Sequence, residues 1–120
     1  MKKILIVDDI INNCILLKSM LENFGYDSQM AYNGQEALLL LKKNKYYIVF
    51  MDIEMPVMNG IEATKLLRDT LTNGNQNIPV IATTAFKNSD QINDDLYGFT
   101  DFILKPFQLE KIKSILEKYV

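Results

Sequence analysis

Three acids, a hydroxyl and an amine each stand at the end of an apolar run in this chain. Asp8 and Asp9 follow "KILIV", Asp52 closes "YIVFMD", Thr84 closes "PVIATT" and Lys105 closes "DFILK". Singly, each has an ordinary explanation. An aspartate pair commonly caps the next helix, Asp52 could cap a turn, a lysine before a proline is usually solvated, and Thr83 and Thr84 are β-branched residues at home in a strand. Together they could do chemistry. Three neighbouring carboxylates repel one another and raise at least one pKa unless a cation neutralises them. An all-oxygen ligand set favours a hard metal, Mg²⁺ foremost or Mn²⁺ in its place. Lys105 is a point charge suited to a carboxylate or a phosphoryl group, and a threonine hydroxyl adds a donor to a phosphoryl oxygen. A carboxylate can itself be the nucleophile and form an aspartyl-phosphate. Metal and lysine would then neutralise charge on a transferred phosphoryl group, the main task in such chemistry.

The elements around these residues must bring them together. Residues 3–8 form a short continuous apolar run, as expected of a strand covered on both faces. Over residues 12–24, Ile15, Leu16, Met20, Leu21 and Phe24 recur at helical spacing, and Gly25 is a natural stop. "SQMAY" predicts a second strand, and Asn33 caps a helix over 35–44 with Ala37, Leu38 and Leu41 on one face. A third strand over 47–52 leads through a loop to a helix over 61–71, then to the polar turn "TNGNQN". Strands over 79–84 and 101–105 flank a short, weakly apolar helix within 89–97, and "LEKIKSILEKYV" is a terminal helix. Five strands alternating with five helices favour a parallel sheet with helices on both faces, because parallel strands need crossover connections. In such open sheets ligands bind beyond the carboxyl ends of the strands. Four of the five predicted strands deliver a polar or charged residue to that edge.

Composition bounds the rest. The 120 residues suit one domain, 1–120, with 48% hydrophobic and 23% charged residues, a globular balance. A net charge of −2 without a basic block argues against a nucleic-acid surface. Cys14 is the only cysteine, so no disulfide forms within the chain, which suits a reducing cytoplasm. The first apolar run is far too short for a signal core or a membrane span. Histidine is absent, which removes histidine bases, ligands and phosphocarriers.

The segments "ILIVDD" at 4–9, "MDIEMPVMNGIEAT" at 51–64, "PVIATTA" at 79–85 and "DFILKPF" at 101–107 resemble, in this order and spacing, the receiver domain of two-component response regulators. The resemblance covers essentially the whole chain. It implies a doubly wound, flavodoxin-like (βα)5 fold with strand order 2-1-3-4-5. It implies that Asp52 accepts a phosphoryl group from a phosphohistidine of a histidine kinase or histidine phosphotransfer protein, as a regulatory switch and not an enzyme. It also implies that Asp9, Asp52 and the backbone carbonyl of Glu54 bind Mg²⁺, with Asp8 acting largely through water. Lys105 would contact the phosphoryl group, the Lys105–Pro106 bond is often cis in this family, and Thr84 with Phe102 would form the switch. Five residues on from Pro79 stands Thr84, whereas the family's commoner spacing back from Lys105 points to Thr83. The strand register favours Thr84, with one residue fewer between 86 and 98.

Glu54 and Phe86, two residues after Asp52 and Thr84, are expected to tune the lifetime of the phosphorylated state. "VDDIINN" leans towards a phosphorelay receiver that docks a phosphotransfer protein through an apolar patch of Ile10, Ile11, Cys14 and Ile15. Further partners under this reading are an output domain or a second copy on the face of the fourth helix, fifth strand and fifth helix, with no nucleic acid and no membrane. Two competing readings are a phosphohydrolase using an aspartyl-phosphate, with Glu54 as its second acid, and a degenerate receiver serving only as an interaction module.

Overall fold

The computed structural model describes residues 3–85 and 98–120. Apolar runs at 3–7, 46–52 and 80–84 become strands because each can bury both faces. The strands are β1 (Lys3–Val7), β2 (Ser28–Ala31), β3 (Tyr46–Asp52), β4 (Val80–Thr84) and β5 (Asp101–Leu104). All neighbouring pairs run parallel in the order β2-β1-β3-β4-β5, as the alternation and the resemblance led one to expect. The described helices are α1 (Ile11–Asn23), α2 (Gly34–Lys43), α3 (Gly60–Thr70) and a C-terminal helix (Leu109–Tyr119), with a 3-10 turn at Asn75–Asn77. The helix expected within 89–97 and the proposed tuning residue Phe86 lie outside the described residues. Among the described residues, no helix is long and apolar enough to cross a membrane.

Successive strand side chains point to opposite faces, so one run of sequence feeds two cores. Leu5, Val7, Val49, Met51, Val80 and Ala82 meet α2 and α3 through Ala37, Leu41, Ala63 and Leu67. Ile4, Ile6, Ile48, Phe50, Ile81 and Ile103 meet α1 and the C-terminal helix through Cys14, Leu17, Leu21 and Ile112. Asp52 continues the second series and Lys105 follows β5 directly, so the fold carries both to the carboxyl edge.

The periodicity in α1 pointed partly to the wrong stripe. Cys14, Leu17 and Leu21 are the buried residues, whereas Ile15 and Leu16 are exposed. Counting Cys14 in an exposed apolar patch therefore fails: it is fully buried, and its thiol donates to the Asp8 carbonyl at 3.4 Å. Ile10, Ile11 and Ile15 do form an exposed group. A helix carries a wider set of apolar residues than the sheet can cover, and only the docking angle selects among them.

Side chains fix the loops. Asn33 Oδ1 caps α2 by accepting from Glu36 N at 2.9 Å. Asn59 caps α3 likewise, and Glu62 reaches back to the Asn59 amide, completing a capping box. The polar turn after α3 closes α2: Asn75 is buried and donates to the Leu41 and Asn44 carbonyls at 2.7 Å each, while Asn73 donates to Leu41 at 2.8 Å. These bonds satisfy carbonyls that the helix end would leave open. Arg68, half-buried on α3, donates to the carbonyls of Gln76, Ile78 and Gly98 and to Thr100 Oγ1. One guanidinium thereby ties α3 to the entry of both β4 and β5.

Candidate functional site

The carboxyl ends of β1, β3 and β4, together with Lys105 just beyond β5, converge on one cleft. Asp9, Ile10, Asn13, Asp52, Glu54, Thr84 and Lys105 are among its walls, and its volume is about 310 Å³. Asp8 lies beneath, buried to 2% exposure, and Asp52 is also buried, whereas Asp9 and Glu54 are exposed. β4 is held to β3 by Asp52 opposite Thr83, and Lys105 N donates to the Thr84 carbonyl at 2.7 Å. Thr84 and Ala85 line the cleft. Phe102 packs, partly buried, against the core beneath α2 and α3. The Lys105–Pro106 peptide is cis.

The loop after Asp52 turns tightly. Met58 N donates to the Pro56 carbonyl at 2.8 Å across Val57, whose φ of 69° gives the left-handed form of a three-residue γ-turn. The Met58 carbonyl then accepts from Gly34 N at 3.0 Å, joining this loop to the start of α2. Gly60 N donates to the Ile53 carbonyl at 2.9 Å, and α3 begins directly against the end of β3. Absence of a side chain at Gly60 is what permits that approach, because a Cβ there would collide with the Asp52 carbonyl.

Charge balance in the cleft runs through Lys105. Its ammonium stands 3.0 Å from Asp8 Oδ2 and 3.2 Å from Asp52 Oδ1. Burial, and then the neighbouring Asp8 charge, push the Asp52 carboxyl up to about 6, although Lys105 pulls the other way. Burial alone would lower the Lys105 ammonium, but the two carboxylates outweigh it and hold it above the ordinary lysine value. One carboxylate oxygen from each of Asp8, Asp9 and Asp52 lies within 4.8 Å of the others, close enough to share a cation directly or through its waters. The donors are hard oxygens, so the site fits Mg²⁺ or Mn²⁺. Asp8 is the least available of the three: Oδ1 already accepts from Ile10 N at 2.9 Å, and Oδ2 from Lys105 and from Asn13 Nδ2 at 3.2 Å.

The structure thus brings together Asp8, Asp9, Asp52, Glu54, Thr84 and Lys105 from the sequence-predicted set. Asn13 and Gly60 shape the site without having been named as part of it. Asn13 was legible only as a motif residue four positions after Asp9, and Gly60 only as part of "MDIEMPVMNGIEAT", one residue before the expected helix.

Residues 4–117 match the family model described as the response regulator receiver domain. The chain belongs to that family. This receiver domain is 31% identical over 144 residues to Histidine kinase 5 of Arabidopsis thaliana, covering 98% of the chain and 16% of the kinase. It is 31% identical over 116 residues to the transcriptional regulatory protein ZraR of Salmonella typhimurium, covering 96% of the chain and 25% of the regulator. The chain therefore spans a small part of the curated relatives it matches. Among solved structures, the receiver domain of the sensor histidine kinase PA1611 from Pseudomonas aeruginosa, which has a magnesium ion coordinated in its active site cleft, superposes with a TM-score of 0.88 at 28% identity. That superposition covers 98% of this receiver domain and 96% of the other chain. The response regulator TrrA of Thermotoga maritima, in complex with Mg²⁺–BeF, gives 0.86 at 31% identity and covers all of both chains.

Proposed function

We propose that this receiver domain is a phosphoacceptor switch in which Asp52 takes a phosphoryl group from a phosphohistidine of a histidine kinase or a histidine phosphotransfer protein. A carboxylate oxygen of Asp52 bonds to phosphorus as the phosphorus–nitrogen bond breaks. The imidazole nitrogen keeps the electron pair of that bond and takes a proton from solvent. Asp9, Asp52 and the Glu54 carbonyl would hold Mg²⁺ or Mn²⁺, with Asp8 linked through water. The bound ion supplies charge neutralisation at the phosphoryl oxygens.

The observation that carries this reading is the Lys105 ammonium placed between Asp8 and Asp52 beside an open cleft. A phosphoryl group on Asp52 replaces one carboxylate charge by a group with more charge and more acceptors, so Lys105 can follow it. Thr84 donates its hydroxyl to the same group, and Phe102 repacks inward, shifting the domain between two packings. Glu54, exposed at the rim, and Phe86 set how long the phosphate lasts. The exposed Ile10, Ile11 and Ile15 on and before α1 offer the phosphodonor protein an apolar docking face next to the cleft.

The test is mass spectrometry of the chain after incubation with Mg²⁺ and acetyl phosphate. One phosphoryl group should accumulate per chain, and none should do so without the metal or in Asp52→Asn. Rapid consumption of acetyl phosphate without accumulation would instead favour the phosphohydrolase reading, and no uptake at all the degenerate one.

A further inference from the structure

We propose that Asn13 is a positioning residue of this site, acting through Asp8 on Lys105; the inference rests on the reading of Asp52 as phosphoacceptor. Asn13 stands in the first turn of α1, where its amide donates to the Ile10 carbonyl. From there its side chain reaches back and donates from Nδ2 to Asp8 Oδ2 at 3.2 Å. The same oxygen meets Lys105 Nζ at 3.0 Å, while Oδ1 is taken by Ile10 N at 2.9 Å. Asp8 is only 2% exposed, so its carboxylate depends on these protein donors.

Two physical consequences follow from sharing Oδ2. A carboxylate gripped at one oxygen by the Ile10 amide just before α1 and at the other by Asn13 in its first turn keeps its orientation when the ammonium moves. Lys105 then has a fixed counter-charge to leave and to return to as a phosphoryl group comes and goes on Asp52. Oδ2 is also a better-satisfied acceptor with two donors than with one, so its hold on the ammonium is weaker. Without Asn13, Lys105 would be the only side-chain donor at Oδ2 among the described residues, and the pair would move as a unit. Asn13 also lines the cleft beside Asp9 and Asp52, so it sits where the phosphodonor must enter.

The experiment compares Asn13→Ala and the near-isosteric Asn13→Leu with the parent chain, each alone and combined with Asp8→Asn. Both are good helix formers at a half-exposed position, so both should fold. The first readout is the rate of phosphorylation by acetyl phosphate at saturating Mg²⁺; the second is the NMR signal of the Lys105 ammonium in metal-free protein. The expected result is a rate reduced by about fivefold or more in both variants, a displaced Lys105 signal, and loss of most of the rate effect once Asp8 is asparagine. An unchanged rate, or a rate effect of full size in the Asp8→Asn background with the Lys105 signal unmoved, would overturn the proposal. If the Asp52→Asn control takes up phosphate, the phosphoacceptor reading falls, and the Lys105 signal still decides whether Asn13 acts through Asp8.

Discussion

Gly60 has no room for a side chain, because the backbone carbonyl of Asp52 occupies the space that a Cβ would need. Placing α3 against the end of β3 and presenting Asp52 to the cleft are therefore one packing decision. Gly60→Ala should destabilise the domain by about 1–3 kcal/mol, strain outweighing the gain in helix propensity. Phosphorylation of Asp52 should slow with it. Urea denaturation alongside acetyl phosphate labelling checks both, and a variant as stable as the parent would show that α3 moves away freely.

Val57 places a β-branched residue at a φ of 69° while 75% exposed. Its side chain buries little, so the conformation is a net strain. Val57→Asn, which tolerates the left-handed region, should stabilise the domain by about 1 kcal/mol and raise Tm by about 4 °C. Differential scanning calorimetry gives the answer directly.

Asp52 ionises near 6 in the fold against an ordinary value of 3.8. A carboxyl raised in the folded state binds its proton more tightly there than in the unfolded chain. Its contribution therefore turns unfavourable as pH rises from about 4 to about 6, by about 3 kcal/mol in total. Asp52→Asn should remove this penalty. In a chelator-containing buffer its stability relative to the parent should rise by that amount between pH 4 and pH 8. A difference independent of pH would contradict the assignment.

Arg68 spreads its donors over three backbone carbonyls and a hydroxyl at the entry to β4 and β5. Arg68→Leu takes the guanidinium donors from those part-buried carbonyls and should cost about 3 kcal/mol. Arg68→Lys, with one compact ammonium in place of the fork, should recover only part of that loss. Hydrogen exchange at Val80 and Thr100 should quicken in the leucine variant.

The strands were legible because a parallel sheet covered on both faces demands continuous apolar runs, and the runs at 3–7, 46–52 and 80–84 admit little else. Their ends announced Asp8, Asp9, Asp52 and Thr84, and the shorter run at 101–104 announced Lys105. The capping residues Asn33 and Asn59 speak locally, so α2 and α3 start within a residue or so of where the sequence pointed. α1 was less readable: Ile15 and Leu16 look as apolar as Leu17 and Leu21, yet only the latter pair meets the sheet.

By itself, then, the sequence determined which residues stand at the carboxyl edge, since alternation, strand length and the quoted motifs are local or periodic signals. Tertiary structure alone decided how those residues share charge. The Lys105 ammonium lies between Asp8 and Asp52, 97 and 53 residues away in the chain, and Asn13 joins the same Asp8 oxygen from a helix. Such contacts depend on the packing angle of α1 and on the register of β5 against β4, and no spacing in the chain encodes either.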